Sequence, residues 1–174
     1  MARIPYPDLT QAEIAPVAER IKAERGGKVL NLYRMLLHSP PVADGWRAFL
    51  TAIRQKGLLP GRYRELVILQ VAVLNRADYE FNAHVPFAIK EGFTAAQLET
   101  LKRGELPPDL TEADRAVLRY TDAMTRSVEV PEDVFAAVRA NFTEREIVEL
   151  TATVGAYNLV SRFIVAMKID HEQH

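Results

Sequence analysis

Residues 62–75, RYRELVILQVAVLN, are apolar on nearly every side of a helical wheel and hold a single carboxylate, Glu65. Such a segment is predicted to be a helix buried all round rather than on one stripe. It needs several neighbours to cover it. The rest of the chain offers no alternating strand and no Asn-Gly hairpin, so those neighbours are predicted to be helices.

Capping and breaking residues mark where they fall. Thr10-Gln11-Ala12-Glu13 has the capping-box pattern, with Pro16 close behind, so the first helix either kinks at the proline or begins there; it stops at Gly26-Gly27. A second helix is predicted over about Leu30–His38, ended by Ser39-Pro40-Pro41, and a third over about Val42–Gln55. Pro60 stands at the first position of the buried helix. Asp78 is placed to cap the next, which runs to about Glu91. Thr94-Ala95-Ala96-Gln97 opens a short helix to Arg103, Thr111 opens one to Ser127, and Pro131 starts one to Asn141. Thr143-Glu144-Arg145-Glu146 is a third box, opening a long last helix to Lys168 with Gly155 inside it, where close helix approach is expected. The fold class is all-α with eight or nine helices. One domain is expected over 1–174, with 1–59 as a helical arm packing on a core of 60–170.

Composition removes whole classes of function. Basic and acidic residues number 22 and 23, for a net charge of −1, so no field of one sign attracts nucleic acid or an anionic membrane. The chain has no cysteine, which excludes disulfides, thiolate metal sites and every cysteine-dependent peroxidase mechanism. Met1-Ala2-Arg3-Ile4-Pro5 has no apolar h-region behind it, and no run approaches the ~18 apolar residues of a membrane span, so the cytoplasm is the expected location.

Chemistry is concentrated after the buried helix, in Tyr79-Glu80-Phe81-Asn82-Ala83-His84. Glu80 and His84 are one helical turn apart and share a face. A carboxylate there can orient one imidazole nitrogen and raise its basicity, leaving the other for proton transfer. Surface Glu–His pairs at this spacing are also common without function. Glu65 is costly in an apolar helix unless paired or protonated, and a short turn can bring it or Gln70 toward the Glu80–His84 face. Pro86 is expected to bend the helix beside His84. No second histidine stands nearby to complete a metal site, because His38 is distant and His171 and His174 lie in a tail expected to be disordered. In the last helix Tyr157 and Ser161 share one face, and Asn158 and Arg162 another. Arg162 can clamp a substrate carboxylate, although an interhelical or intersubunit ion pair is the commoner use of such an arginine.

Three stretches together resemble the carboxymuconolactone decarboxylase and alkylhydroperoxidase D-like superfamily. They are Arg64-Glu65-Leu66-Val67-Ile68-Leu69 through Tyr79–Ala88 to Gly92, Leu30-Asn31-Leu32-Tyr33 with His38-Ser39-Pro40, and Tyr157–Arg162. The resemblance implies an alkylhydroperoxidase D-like helical bundle, assembled as a trimer or hexamer with sites near subunit contacts. In the peroxidase branch the motif is a glutamate, then CxxC, then a histidine. Glu65 and His84 match its ends, Ala77 and Glu80 occupy the cysteine positions, and Tyr79 the proton-relay position between them. The decarboxylase branch lacks the cysteines and has a glutamate four before the histidine, as Glu80 stands here. It is shorter, however, and Glu65 is not typical of it.

Two functions follow as expectations. One is a cofactor-independent, metal-free lyase or proton-transfer enzyme on a small carboxylated, lactone or carbonyl compound. In it His84 moves the proton, Glu80 orients it, Glu65 and Tyr79 support it, and Arg162, Tyr157 and Asn158 hold substrate. The other is a non-catalytic oligomeric scaffold or binding protein. An enzyme is expected to set Glu80 and His84 on a concave apolar pocket; a scaffold can expose them or close them into an ion-pair network.

Overall fold

The helix buried on all sides governs the architecture. In the computed structural model, which describes residues 1–172, that segment is α4, Gly61–Leu74, and Leu66, Val67, Ile68, Leu69 and Val71 are all sealed from solvent. Nine α-helices and no strand occur among the described residues. The chain divides into two units: a central one of residues 57–163, and a terminal one of residues 1–56 with the stretch from Ile164 on.

In the central unit α4 packs against α5 (Asp78–Lys90), α6 (Ala95–Lys102) and α7 (Glu112–Arg126), and α7 carries α8 (Glu132–Arg139). The last helix, α9 (Glu144–Met167), supplies most of its length to this unit. Its first residues are tied in by Glu149, whose carboxylate accepts from the Leu58 and Leu59 amides at 2.6 and 2.7 Å. At the other end of the unit the Asn75 side-chain amide donates to Asn158 Oδ1 at 3.0 Å and to the Ser161 hydroxyl at 2.7 Å. Arg62 grips the fully buried Asp114 through two hydrogen bonds of 2.9 and 2.8 Å. Burial pushes the Asp114 carboxyl up, but Arg62 and the Thr111 hydroxyl and amide outweigh it and hold the group below its ordinary value.

The terminal unit holds α1 (Ala15–Glu24), α2 (Asn31–Leu36), α3 (Pro40–Thr51) and a π-turn, Ala52–Lys56. Ile21, Leu37 and Ala43 form its driest core. Charges ring it: Arg47 pairs with both Glu24 and Asp44, and Arg20 with Asp44.

The boxes at Thr94 and Thr143 form as predicted, and Thr111 and Asp114 make a further reciprocal pair. The first box does not form. Pro16 is favoured in the first turn of a helix and costly in its interior, so α1 starts beside it, while the Thr10 amide and hydroxyl bond Asp8 instead. Asp78 is the first residue of α5 rather than its cap, which is Ala77. Crowding expected at Gly155 is absent: a Cβ there meets only Met124 Cε, at an ordinary 3.9 Å. Contrary to the sequence reading, α9 is long and apolar enough to cross a membrane, yet half of that stretch is buried within the protein. Its buried Thr153, Asn158 and Ser161 are all hydrogen-bonded, as a core helix requires. His171 belongs to the described structure, its carbonyl accepting from Asn31 at 3.4 Å. His174 lies outside the described residues.

Candidate functional site

The turn after α4 returns the chain along it as α5, so that residues early in α4 face residues near the middle of α5. Glu65 and His84 meet there. His84 Nδ1 lies 2.6 Å from Glu65 Oε2, and its Nε2 lies 3.2 Å from Glu80 Oε1, one turn back on the same helix. All three are buried: Glu65 is 2 %, His84 4 % and Glu80 5 % exposed. With a carboxylate at each ring nitrogen, the imidazolium is the form in which both contacts are hydrogen bonds donated by N–H.

Burial by itself pulls the His84 pKa down, because charge is expensive away from water. The hydrogen bonds to Glu65 and then Glu80, with the charges of both, win over burial and raise it above its ordinary value. The short contact to Glu65 is the tighter anchor and the longer one to Glu80 the looser. Two rings frame the imidazole. Tyr157 of α9 stands edge-on at 5.5 Å and 89°, and Phe87, one turn further along α5, lies tilted at 5.6 Å. Phe87 is 42 % exposed, so the buried chain lies one side chain beneath the surface.

Because the two ring nitrogens point to opposite carboxylates, the three groups do not converge on one point. Among the described residues no set of three His, Asp or Glu side chains is arranged to hold a metal ion.

Tyr79 is buried on α5, and Tyr157 is buried against His84. Asn158 is also buried, but its amide is occupied by Asn75, the Thr125 hydroxyl and the Val154 carbonyl. Arg162 is exposed and stands outside the buried cluster. His38 is in the terminal unit, its Nε2 2.7 Å from the Pro5 carbonyl. Two cavities of the central unit, one lined by Gln70, Leu106, Leu118 and Val134 and one by Phe135, Arg139, Phe142 and Ile147, include none of Glu65, Glu80 or His84. The expected concave pocket beside Glu80 and His84 is therefore not formed by either of these.

The sequence reading passes over Arg64. Its side chain is only 18 % exposed, and its Nε lies 3.5 Å from Glu65 Oε1, the carboxylate oxygen not used by His84. A cation directly preceding the one buried carboxylate of α4 was the available signal.

Residues 40–123 match the model of the carboxymuconolactone decarboxylase family. A search of curated proteins yields no match. Among solved structures the chain resembles a putative antioxidant defence protein AhpD, of unknown function, from Agrobacterium tumefaciens. The identity is 27 %, the TM-score 0.72, and the match covers 79 % of this chain and 94 % of that one. It resembles the alkylhydroperoxidase AhpD core of an uncharacterized peroxidase-related protein from Ralstonia eutropha JMP134 at 21 % identity and a TM-score of 0.84, over 99 % and 93 % of the two chains. It also resembles the debrominase Bmp8, in a cysteine-to-alanine variant bound to 2,3,4-tribromopyrrole, at 15 % identity and a TM-score of 0.77, over 99 % and 94 %.

Proposed function

We propose that this chain, whose residues 40–123 match the carboxymuconolactone decarboxylase family and whose fold resembles the alkylhydroperoxidase AhpD core, is a cofactor-independent enzyme. It moves a proton on a small carboxylated, lactone or carbonyl compound, with His84 as the acid–base group. One observation carries this reading: a buried imidazole held between two carboxylates, with its proton affinity raised. Structural pairing alone would be satisfied by one partner. Two partners in line make a chain along which a proton can shift by short steps.

In this reading Glu65 stays fixed on Nδ1 and keeps the ring oriented. The Glu80 contact, being longer, is the one that opens to substrate, and Nε2 then exchanges the proton. For a decarboxylation, carbon dioxide leaves and its bonding electrons pass into a conjugated carbonyl. The imidazolium protonates the carbon, and water restores the lost proton. An isomerisation uses the same groups without loss of carbon dioxide. Tyr79 supports the chain as a hydrogen-bonding group, and the Tyr157 ring walls it. Arg162 and Asn158 take no part within one protomer, the first being exposed and the second committed to Asn75 and Thr125. Redox cycling through a dithiol is closed to this chain, which has no thiol. The reading includes a cytoplasmic homo-oligomer, with exposed Phe87 and Ile89 on α5 available to a second subunit.

A second reading, a non-catalytic scaffold or binding protein, is favoured by one observation. Both ring nitrogens are occupied, and the two cavities named above do not reach them. Incubating the full-length protein in D2O with a panel of small keto acids and unsaturated lactones separates the two. Proton NMR should show C–H to C–D exchange or loss of carbon dioxide, slowed about 100-fold or more by His84→Gln with the helical circular dichroism unchanged. No turnover on any compound favours the scaffold; turnover undiminished in His84→Gln removes His84 from the chemistry.

A further inference from the structure

Two neighbours of the Glu65 carboxylate bear on the site. Oε2 takes the His84 ring at 2.6 Å, and Oε1 faces Arg64 Nε at 3.5 Å. That nitrogen is buried and makes no hydrogen bond to the described residues. At this separation the guanidinium acts on Glu65 mainly as a charge held close by. Arg62, one turn-half earlier on α4, cannot do the same work, because Asp114 holds it bidentately.

The charges explain why a cation belongs there. With both carboxylates ionised and the ring protonated, the three groups would sum to one negative charge, which is costly in a buried site without a partner. Arg64 brings the sum to zero. The charged and titratable groups shown against His84 are Glu65 from α4, Glu80 from its own helix and the Tyr157 ring from α9, with Phe87 closing the side; Arg64 stands behind Glu65, on its other oxygen. Of these groups, only Arg64 is a guanidinium.

We propose that Arg64 is a positioning residue that lowers the proton affinity of the Glu65–His84–Glu80 chain and so sets the pH at which the chain releases its proton. This rests on the reading of His84 as the acid–base group. Arg64 acts through Glu65: the guanidinium stabilises the carboxylate charge, the carboxylate draws the ring proton less strongly, and the imidazolium becomes a better acid. Without Arg64 the cluster holds its proton more tightly.

Full-length protein labelled with 15N-histidine, with His84 assigned by its loss in His84→Gln, tests this by NMR titration without any substrate. Arg64→Gln and Arg64→Met, the latter keeping the aliphatic packing, should raise the His84 midpoint by about one pH unit, a tenfold change in proton affinity. Arg64→Lys should restore it to within a few tenths of a unit of the parent. An unmoved midpoint in the folded neutral variants overturns the proposal. If those variants are unfolded at neutral pH, acidification should refold them by neutralising the cluster, and unfolding at every pH equally overturns the proposal. Because the readout needs no turnover, its failure is distinct from the failure of the enzymatic reading, which the His84→Gln assay reports.

Discussion

One ion pair from each unit shows two opposite surroundings for charge. In the terminal unit Arg20 and Asp44 pair at 3.2 Å with side chains 49 % and 36 % exposed. In the central unit Glu65 and His84 pair at 2.6 Å with side chains 2 % and 5 % exposed. The chemistry of attraction is similar, but water competes with the first pair and is excluded from the second. An exposed pair is screened and can be lost with little consequence. A buried pair is a commitment: halving it strands a charge where no solvent can reach it. The Arg20–Asp44 pair therefore decorates an apolar core. The Glu65–His84 pair is part of the core, which is where a proton-handling group must be kept if its affinity is to differ from that in water.

The sharpest way to break this contrast is Glu65→Ala. It leaves the His84 ring facing one carboxylate in a dry site and should lower unfolding free energy by about 3–5 kcal/mol. Urea denaturation at neutral pH measures it, and a loss below ~1 kcal/mol would mean that the pair is no more committed than a surface one. A smaller effect is expected from pH alone. His84 is raised in the folded protein and titrates near ~6.5 when unfolded. Its contribution to stability is thus complete below about 6.5 and fades as pH climbs through the folded value. Urea midpoints followed from neutral to alkaline pH should fall in the parent and fall less in His84→Gln; parallel curves would refute the assignment. Asp114, held below the ordinary carboxylate range, works in the opposite sense, its contribution being lost only as acid is added. The smallest effect belongs to Arg20→Ala, which should leave Tm unchanged within about 2 °C in calorimetry. A larger drop would show that the charged ring of the terminal unit is structural after all.

Much of this architecture could be read before any coordinates. The run 62–75 announced a helix covered on all sides, and the tetrapeptides at Thr94 and Thr143 announced two helix starts, because both signals are local. The start of α1 was ambiguous for a local reason too: a proline and a capping box competed, and the proline won. For the site, spacing put Glu80 and His84 on one face, since one turn of helix is a short-range fact. The arrival of Glu65 at Nδ1 is a tertiary event across 19 positions, which periodicity cannot encode. The adjacency of Arg64 to Glu65 was visible in sequence, but their contact was not, for a related reason. An arginine next to a glutamate normally points to another side of the helix, and only the packed structure brings its Nε to Oε1. Asn158 likewise looked available in sequence and turned out to be a fastener between helices.

That fastener has a consequence for how the chain is made. Asn75 closes α4 onto α9 through Ser161, 86 positions later. At the ordinary pace of synthesis, ~5–20 residues per second, the greasiest helix emerges from the ribosome several seconds before the α9 segment to which Asn75 fastens it. During that interval the nascent chain carries an uncovered hydrophobic rod, and its fate rests on the intervening helices or on a passing chaperone.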